Sequence, residues 1–523
     1  MTQMQPSSKP EQAAQQTSMA AKLAGGALLN FISMVLIRLM GLINIAIIAR
    51  LLTPDDFGLM ALALIAVGFV EALINRQFEN ALIRQQDVTA DHFNTAFCLA
   101  ILVGLFGMFM VIASAGYLAQ FFGNAELQAV LYGLSPVPLL MGLRNPYFVN
   151  FEKNLNFRPR LKLHVRARLV MTFTSVITAY ILQSYWALVI SLLTLHATFV
   201  VLTWHLAEGR PALRMPRWKA FFRFGGWLTL AGLAIFFQKR LPTAILGKLA
   251  TTYEAGRFHV ANEISTTMTQ QLLSPIGEAL FPGLMSVSKS PERLRRAYLK
   301  GQQSLLGIAL PVGTGVAIAA PEVVRVLLGA QWEAAVPIIA ILTPVSALST
   351  LTLGVNAIKM IDGDTRTLFL RNLFILVLTI PLSLGGYLAF GITGLVLGQA
   401  LGQLINLALT LQIAARATQS KLHDPLRVSW RSFVATPVMA ATLLGIDALG
   451  GFAPFEMSLL QAASLLLGKA LLGAVIAGGV QMFLWRLAGR PDGFEQQVLA
   501  LVSRLITRVK PRKNHLDPSE APH

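Results

Sequence analysis

Apolar blocks of about 20 residues recur along this 523-residue chain, separated by short basic loops. An α-helix rises 1.5 Å per residue, so each block is long enough to cross a hydrocarbon core of roughly 30 Å. Inside that layer every backbone N–H and C=O must be satisfied within the protein, which leaves helices or a closed barrel. The alternation of barrel strands is absent, so the expected class is an all-α polytopic membrane protein. Only 13% of residues are charged, 54% are hydrophobic and the mean hydropathy is +0.61, too apolar for a soluble chain of this length. Fourteen spans are expected, at 25–49, 57–75, 94–120, 127–150, 163–182, 185–206, 225–247, 257–280, 301–320, 334–358, 368–388, 391–414, 432–449 and 459–485. Ser135-Pro136-Val137-Pro138 predicts a break in the fourth.

The net charge of +18 raises nucleic-acid binding, but the cations sit in short loops between apolar blocks and not on one soluble face. No nucleic-acid partner is expected. With the N-terminus in the cytoplasm, 35 Lys and Arg fall on the cytoplasmic side, and only Arg50, Lys248, Arg257 and Arg325 fall outside. That asymmetry obeys the positive-inside rule and predicts two cytoplasmic termini. Cys98 alone supports neither a disulfide framework nor a metal site. The first 20 residues are polar and of low complexity, unlike a signal peptide. Two basic, partly aromatic stretches, Arg214–Gly225 and Ser290–Lys300, suit an anionic inner leaflet. In the second, Ser290 caps and Pro291 opens a helix.

The chain also repeats. Arg50–Gly58 (RLLTPDDFG) returns as Lys248–Gly256 (KLATTYEAG) at an offset of 198, each copy ending a long apolar segment. Leu134-Ser-Pro-Val137 parallels Leu342-Thr-Pro-Val345 at an offset of 208, and Arg158 and Arg366 follow at the same offset. Ala187-Leu188 and Gly394-Leu395 open the sixth and twelfth spans at nearly that spacing. Spans 1–6 and 7–12 therefore read as two six-helix halves in parallel orientation, with spans 13 and 14 outside the duplication. Such halves enclose a cavity that rocking opens to either side. The expected organisation is a disordered tail at 1–21, a first half at 22–208, an amphipathic linker at 209–224 and a second half at 225–415. Helices 13 and 14 follow at 416–488, then a basic tail at 489–523. The nonapeptide falls at the external mouth, where Arg50 and Lys248 flank helices 1 and 7, and it reads as a turn with capping acids.

Charges inside the spans are the candidate site. A cation at the bilayer centre costs at least about 2.5–3.5 kcal/mol on insertion scales unless it meets water, a partner or a ligand. Arg38 lies near the middle of the first span, and Lys239 and Arg240 lie in the seventh. Guanidinium groups suit a diphosphate or carboxylate through paired hydrogen bonds. A structural ion pair, Arg38 with Glu71 for instance, is the alternative, and Lys239 has the option of snorkelling outward. Repeat alignment sets Arg38 against Phe236, one turn from Arg240. Glu71, and Glu263 within the polar stripe Asn262, Thr266, Thr267, Gln270 and Gln271, are candidates for binding H⁺ or Na⁺. Glu278 is a third acid, and Lys469 in the last span has no assigned role. No nucleotide-binding loop, His pair, nucleophile elbow or paired carboxylates point to catalysis, and no cofactor is expected.

The stretches ARLLTPDDFGLMALALI, ENALIRQQDVTADHFNTAF, FRFGGWLTLAG and PERLRRAYLKG followed by LPVGTGVAIAAPEVVRVLLGAQWEAAVPIIAIL are similar to one family. They resemble the polysaccharide-exporter branch of the multidrug/oligosaccharidyl-lipid/polysaccharide exporter superfamily over about residues 22–415. The resemblance implies a Wzx-type flippase that moves undecaprenyl-diphosphate-linked oligosaccharide repeat units across the bacterial inner membrane, for O-antigen, capsule or exopolysaccharide. It implies a cationic central cavity, here carried by Arg38 and Arg240. Its expected partners are the polyprenyl-linked oligosaccharide, membrane lipids, H⁺ or Na⁺, and a polysaccharide polymerase with chain-length proteins. Two other readings stay open: a cation-coupled multidrug exporter of the same fold, and a non-transporting scaffold of an assembly complex.

Overall fold

A computed structural model describes residues 33–74, 82–83, 88–154, 156, 158–216, 226–274, 284–285, 287, 290–361, 365–491, 493, 495–496 and 499. The N-terminal tail, the stretch 217–225, Glu278 and most of the C-terminal tail lie outside the described residues.

Among the described residues the regular structure is helical throughout. In the first half, α1 is Ser33–Leu51, α2 Pro54–Ile74, α3 Ala90–Phe122, α4 Glu126–Gly142, α5 Arg158–Leu182 and α6 Trp186–Leu206. In the second, α7 is Gly226–Leu249, α8 Thr252–Thr266, α9 Pro291–Ile318 with a short arm Ala320–Leu327, and α10 Val336–Leu348. α11 and α12 are the two parts of Thr365–Thr418 on either side of Phe390 and Gly391. α13 is Trp430–Gly450 and α14 is Leu459–Leu487. Among the described residues, and with α11 and α12 counted as one, eight helices are long and apolar enough to cross a membrane, or up to ten if each of two bent pairs is one span. α7 is outside that group, because Lys239, Arg240 and Lys248 lower its hydropathy.

Several boundaries differ from the sequence expectation. α5 begins at Arg158 and not near 163, which draws Arg158, Arg160 and Lys162 into the helix. α9 runs unbroken from Pro291, so the basic stretch forms the first turns of the spanning helix. Ser290 sits at its N-cap, but its side chain makes no capping bond. The predicted break in α4 occurs at Ser135 with little bending, since the backbone stays helical there (φ −56°, ψ −28°). The larger bend, 57°, separates Glu126–Gly142 from Pro146–Lys153.

The duplication is visible in the backbone. The tight turn joining α5 to α6 places Gln183 at φ +46°, and that joining α11 to α12 places Gly391 at φ +60°, with 391 − 183 = 208. Gly123 (φ +68°) after α3 and Gly329 (φ +101°) after the short arm of α9 form another such pair.

The nonapeptide copies meet each other. Each starts a helix with a Thr N-cap and an acid three residues on. Thr53 N and Oγ1 donate to Asp56 Oδ2 at 2.9 and 2.7 Å, and Thr251 accepts from Glu254 N at 3.2 Å. α2 then packs along α8. A Cβ at Gly58 would lie 1.8 Å from Thr252 O, and one at Gly256 would lie 1.9 Å from Pro54 O. The contact is reciprocal and backbone to backbone, and Thr252 Oγ1 adds a 2.6 Å bond to Asp55 Oδ1.

Arg50 and Lys248 reinforce this end by crossing between halves. Arg50 donates to Val326 O in the short arm of α9. Lys248 Nζ donates to Phe121 O at the end of α3 at 2.6 Å and lies 4.8 Å from the Phe121 ring centroid. Trp332 Nε1 donates to Ala49 O at 2.8 Å, and its ring meets Phe57 edge-on at 5.3 Å. A buried apolar cluster containing Ile48, Leu52, Phe258, Ile264, Trp332 and Leu395 fills the space beneath. We call this the motif end.

Gly256→Val should destabilise the protein by about 1–3 kcal/mol or more, as overpacking against fixed backbone does. Gly232→Ala, where a Cβ meets nothing within 4 Å, should not. Thermal unfolding of the purified variants in detergent checks both.

Candidate functional site

The intramembrane charges picked out by sequence converge well below the motif end. At 1.5 Å per residue, Arg38 is roughly 18 Å along α1 from Arg50, and Arg240 is roughly 12 Å along α7 from Lys248. Arg38 and Lys239 are exposed, while Arg240, Glu71 and Glu263 are half-buried.

α7 presents Lys239 and Arg240 together. Pro242 follows and leaves the Gln238 carbonyl without its helical N–H donor. Arg240 lies against α2, its Nη2 3.9 Å from where a Cβ on Gly68 would be, one turn from Glu71. Phe236, the aligned counterpart of Arg38, packs on the same glycine and on Phe69 at 6.2 Å between ring centroids. Arg240 interacts electrostatically with both Glu71 and Glu263, and Lys239 interacts with Glu263 and Arg38. Both adjacent cations therefore reach the site.

Glu263 sits where α8 passes into a π-helical turn, Thr267–Gln271. Such a turn re-aims side chains and recurs at functional positions. Its Oε1 accepts from Thr267 Oγ1 at 3.4 Å and from Gln271 Nε2 at 3.2 Å. The rest of the polar stripe ties α8 into its own half. Asn262 Oδ1 accepts from Gln399 Nε2 at 3.3 Å, and Gln270 Nε2 donates to Ser346 O at 3.2 Å.

The alternative pairing of Arg38 with Glu71 does not form. The charge of Arg38 acts on Arg168 and Lys239, both cations. Glu71 instead faces His196, whose Nε2 is 3.8 Å from Oε1, and interacts electrostatically with Arg240 and Arg144. Arg144 Nη2 lies 2.9 Å from His196 Nδ1, and its guanidinium carbon lies 4.6 Å from the Phe199 ring centroid. A guanidinium cannot accept, so Nδ1 is the acceptor and the ring proton sits on Nε2, toward Glu71.

Arg144, Arg168, His196 and His259 are functional candidates that sequence reasoning passed over. Arg144 and Arg168 counted as loop cations between the fourth and fifth spans. Arg168 lies inside α5, its Nη1 3.9 Å from the Cβ position of Gly41, one turn from Arg38. His259 interacts with Arg240 and Glu263. Arg168 already fell inside the expected fifth span at 163–182, and its place there was the signal that counting it with the loop passed over. Taken together, Arg38, Arg144, Arg168, Lys239 and Arg240 face two acids, Glu71 and Glu263. Among the described residues three cations are in excess, and they need water or an anion to offset their desolvation.

The model of a polysaccharide biosynthesis protein family matches residues 47–337. The lipopolysaccharide biosynthesis protein WzxC of Escherichia coli (strain K12) is 23% identical over 399 residues, covering 75% of this chain and 81% of that protein. The teichuronic acid biosynthesis protein TuaB of Bacillus subtilis (strain 168) is 21% identical over 338 residues, covering 64% and 70%. Among solved structures, the lipid II flippase MurJ in an inward closed conformation superposes with a TM-score of 0.68 at 13% identity, covering 88% of this chain and 100% of that one. At that identity the likeness establishes the fold alone.

Arg144→Ala should cost about 1–3 kcal/mol, since it leaves the buried His196 Nδ1 without a donor. His196→Phe in the Arg144→Ala background should add less than it does alone. A double-mutant cycle on thermal stability measures that coupling.

Proposed function

The chain belongs to the polysaccharide biosynthesis protein family, and from that membership we propose that it is a flippase for lipid-linked oligosaccharides. Its cargo is an oligosaccharide repeat unit on undecaprenyl diphosphate, destined for O-antigen, capsule or exopolysaccharide. It works as a transporter, not as an enzyme, in the bacterial inner membrane with both termini cytoplasmic. The motif end then faces outward.

One observation carries this reading: among the described residues, five cations against two acids gather between the halves. A diphosphate brings the missing negative charge, and Arg38, Arg168 and Arg240 offer fork-shaped donors for its oxygens. The head group occupies this space while the polyprenyl chain stays in lipid. With the motif end held shut by Gly58, Gly256, Arg50 and Lys248, cargo enters from the cytoplasmic side. Rocking of the halves then exposes it outside. Glu71 and Glu263 compensate the cations when cargo is absent and are the sites for a coupling H⁺ or Na⁺. Membrane lipids surround the cargo tail, and a polymerase with chain-length proteins receives the unit.

An exporter of cationic drugs on the same fold calls for a cavity of acids and aromatic rings, and an excess of three positive charges repels such cargo. A scaffold that transports nothing would tolerate neutralisation of the central cations.

Arg38→Ala, Arg168→Ala and Arg240→Ala, each at normal membrane abundance, should lower polymer export about 10- to 100-fold. That is the expected effect of losing one charge-assisted contact worth about 1.5–3 kcal/mol. Lipid-linked repeat units should accumulate inside. Wild-type polymer in all three variants would sink the proposal.

A further inference from the structure

A second group of intramembrane charges lies away from the central cluster, where α13 and α14 pack on the bent end of α9. Lys469, part way along α14, places Nζ 2.6 Å from Glu322 Oε1 in the short arm and 2.5 Å from Asp447 Oδ1 near the end of α13. Lys469 is 5% exposed and Glu322 1%, while the Asp447 side chain keeps 30%. Glu322 Oε2 is buried and has no hydrogen-bond partner.

The balance of charge is uneven: one ammonium stands against two carboxylates, a net charge of −1. A buried pair is tolerable when its charges cancel and its lone pairs are satisfied. Here neither condition holds, and a single added proton cancels the excess charge. It neutralises the group and occupies the bare oxygen of Glu322.

We propose that Lys469, Glu322 and Asp447 form a proton-binding site, with one exchangeable proton on Oε2 of Glu322. A metal ion fits poorly. The Lys469 ammonium already fills the point between the two carboxylates where an ion would bridge them. The adjoining crevice, about 190 Å³, is lined by Pro311, Val316, Val323, Leu443 and Leu466 and supplies no further side-chain oxygen. Asp447, the most exposed of the three, is the route by which the proton exchanges.

Other charged groups on the packed elements are engaged elsewhere or distant. Arg325 on the short arm donates to Met457 O at 3.1 Å. Glu333 lies in the turn Ala330–Ala335, and Glu456 lies in the connection before α14. α10 carries no charged residue. Arg431, Arg486 and the basic first turns of α9 sit at the opposite ends of their helices.

The site is mechanically connected. Glu322 is one helical turn before Val326, whose carbonyl receives Arg50 from the first half. The short arm is bent 77° from α9, so a change in its hold on α14 bears directly on that crossing bond. This last step rests on the transport reading; the proton site itself does not.

Infrared spectra of the full chain in lipid nanodiscs provide the test. A protonated-carboxyl band persisting at neutral pH is expected in the wild type and in Glu71→Gln and Glu263→Gln. It should vanish in Glu322→Gln, and also in Asp447→Asn, the more exposed position and the safer variant to fold. A band retained in both Glu322→Gln and Asp447→Asn, or absent from the wild type, would overturn the proton site. Export by Glu322→Gln should lose the wild type's dependence on external pH, and an unchanged pH profile would overturn the link to the crossing bond. Polymer export that does not depend on this chain, with the band intact, would count against the transport reading alone.

Discussion

Everything else in this structure is referenced to a place where two helices touch without side chains. Gly58 and Gly256 let the backbones of α2 and α8 meet, each glycine against a carbonyl of the opposite copy. A contact of that kind has almost no slack, because a carbonyl oxygen cannot rotate away as a side chain can. It fixes the depth at which α1, α2, α7 and α8 face one another further down. Arg50 and Lys248 then set the rotation of α1 and α7 by reaching across to the opposite half. The charges between the halves are arranged by this closure, although none of them takes part in it.

The central cluster is built from positions that differ between the halves. Arg38 on α1 corresponds in register to Phe236 on α7, and the α7 cations lie one turn away. The acids differ as well. Glu71 faces a histidine held by an arginine, whereas Glu263 is steadied by a threonine and a glutamine of its own helix. A symmetric scaffold therefore carries an asymmetric lining. A cargo with one charged end and one long apolar end needs such a lining, since two equal sites would hold it equally well in either direction.

Much of the fold was legible because charge inside an apolar block is anomalous and because the nonapeptide registers the halves. Arg38, Lys239 and Arg240 stood out on depth alone, and the capping role of the motif acids followed from Thr-to-acid spacing. Arg144 and Arg168 did not stand out, since cations are expected near the cytoplasmic ends of apolar segments. Whether such a residue turns to the head groups or inward depends on where its helix begins and how it is rotated, and sequence fixes neither. The pairing of Arg38 with Glu71 failed for a similar reason: similar depth does not give a shared face. Lys469 was visible but had no role, because Glu322 is 147 residues away and belongs to a short arm whose 77° bend no local pattern announces.

The connections at the two ends of the bundle are unequal. At the motif end the chain reverses within a few residues, at Thr53, Gly123, Gln183, Thr251 and Gly391. The links from Ile74 to Ala90, from Gly142 to Arg158 and from Leu206 to Gly226 are longer, and all join helices at the other end. At the motif end most reversals are thus tight, the short arm of α9 and the connection before α14 being the larger features there, and the other end carries the longer connections. A protein meeting the motif end finds mostly tight turns, so recognition there has little to grip beyond the short arm of α9 and the connection before α14. At the opposite face, docking can be handled by ordinary loops.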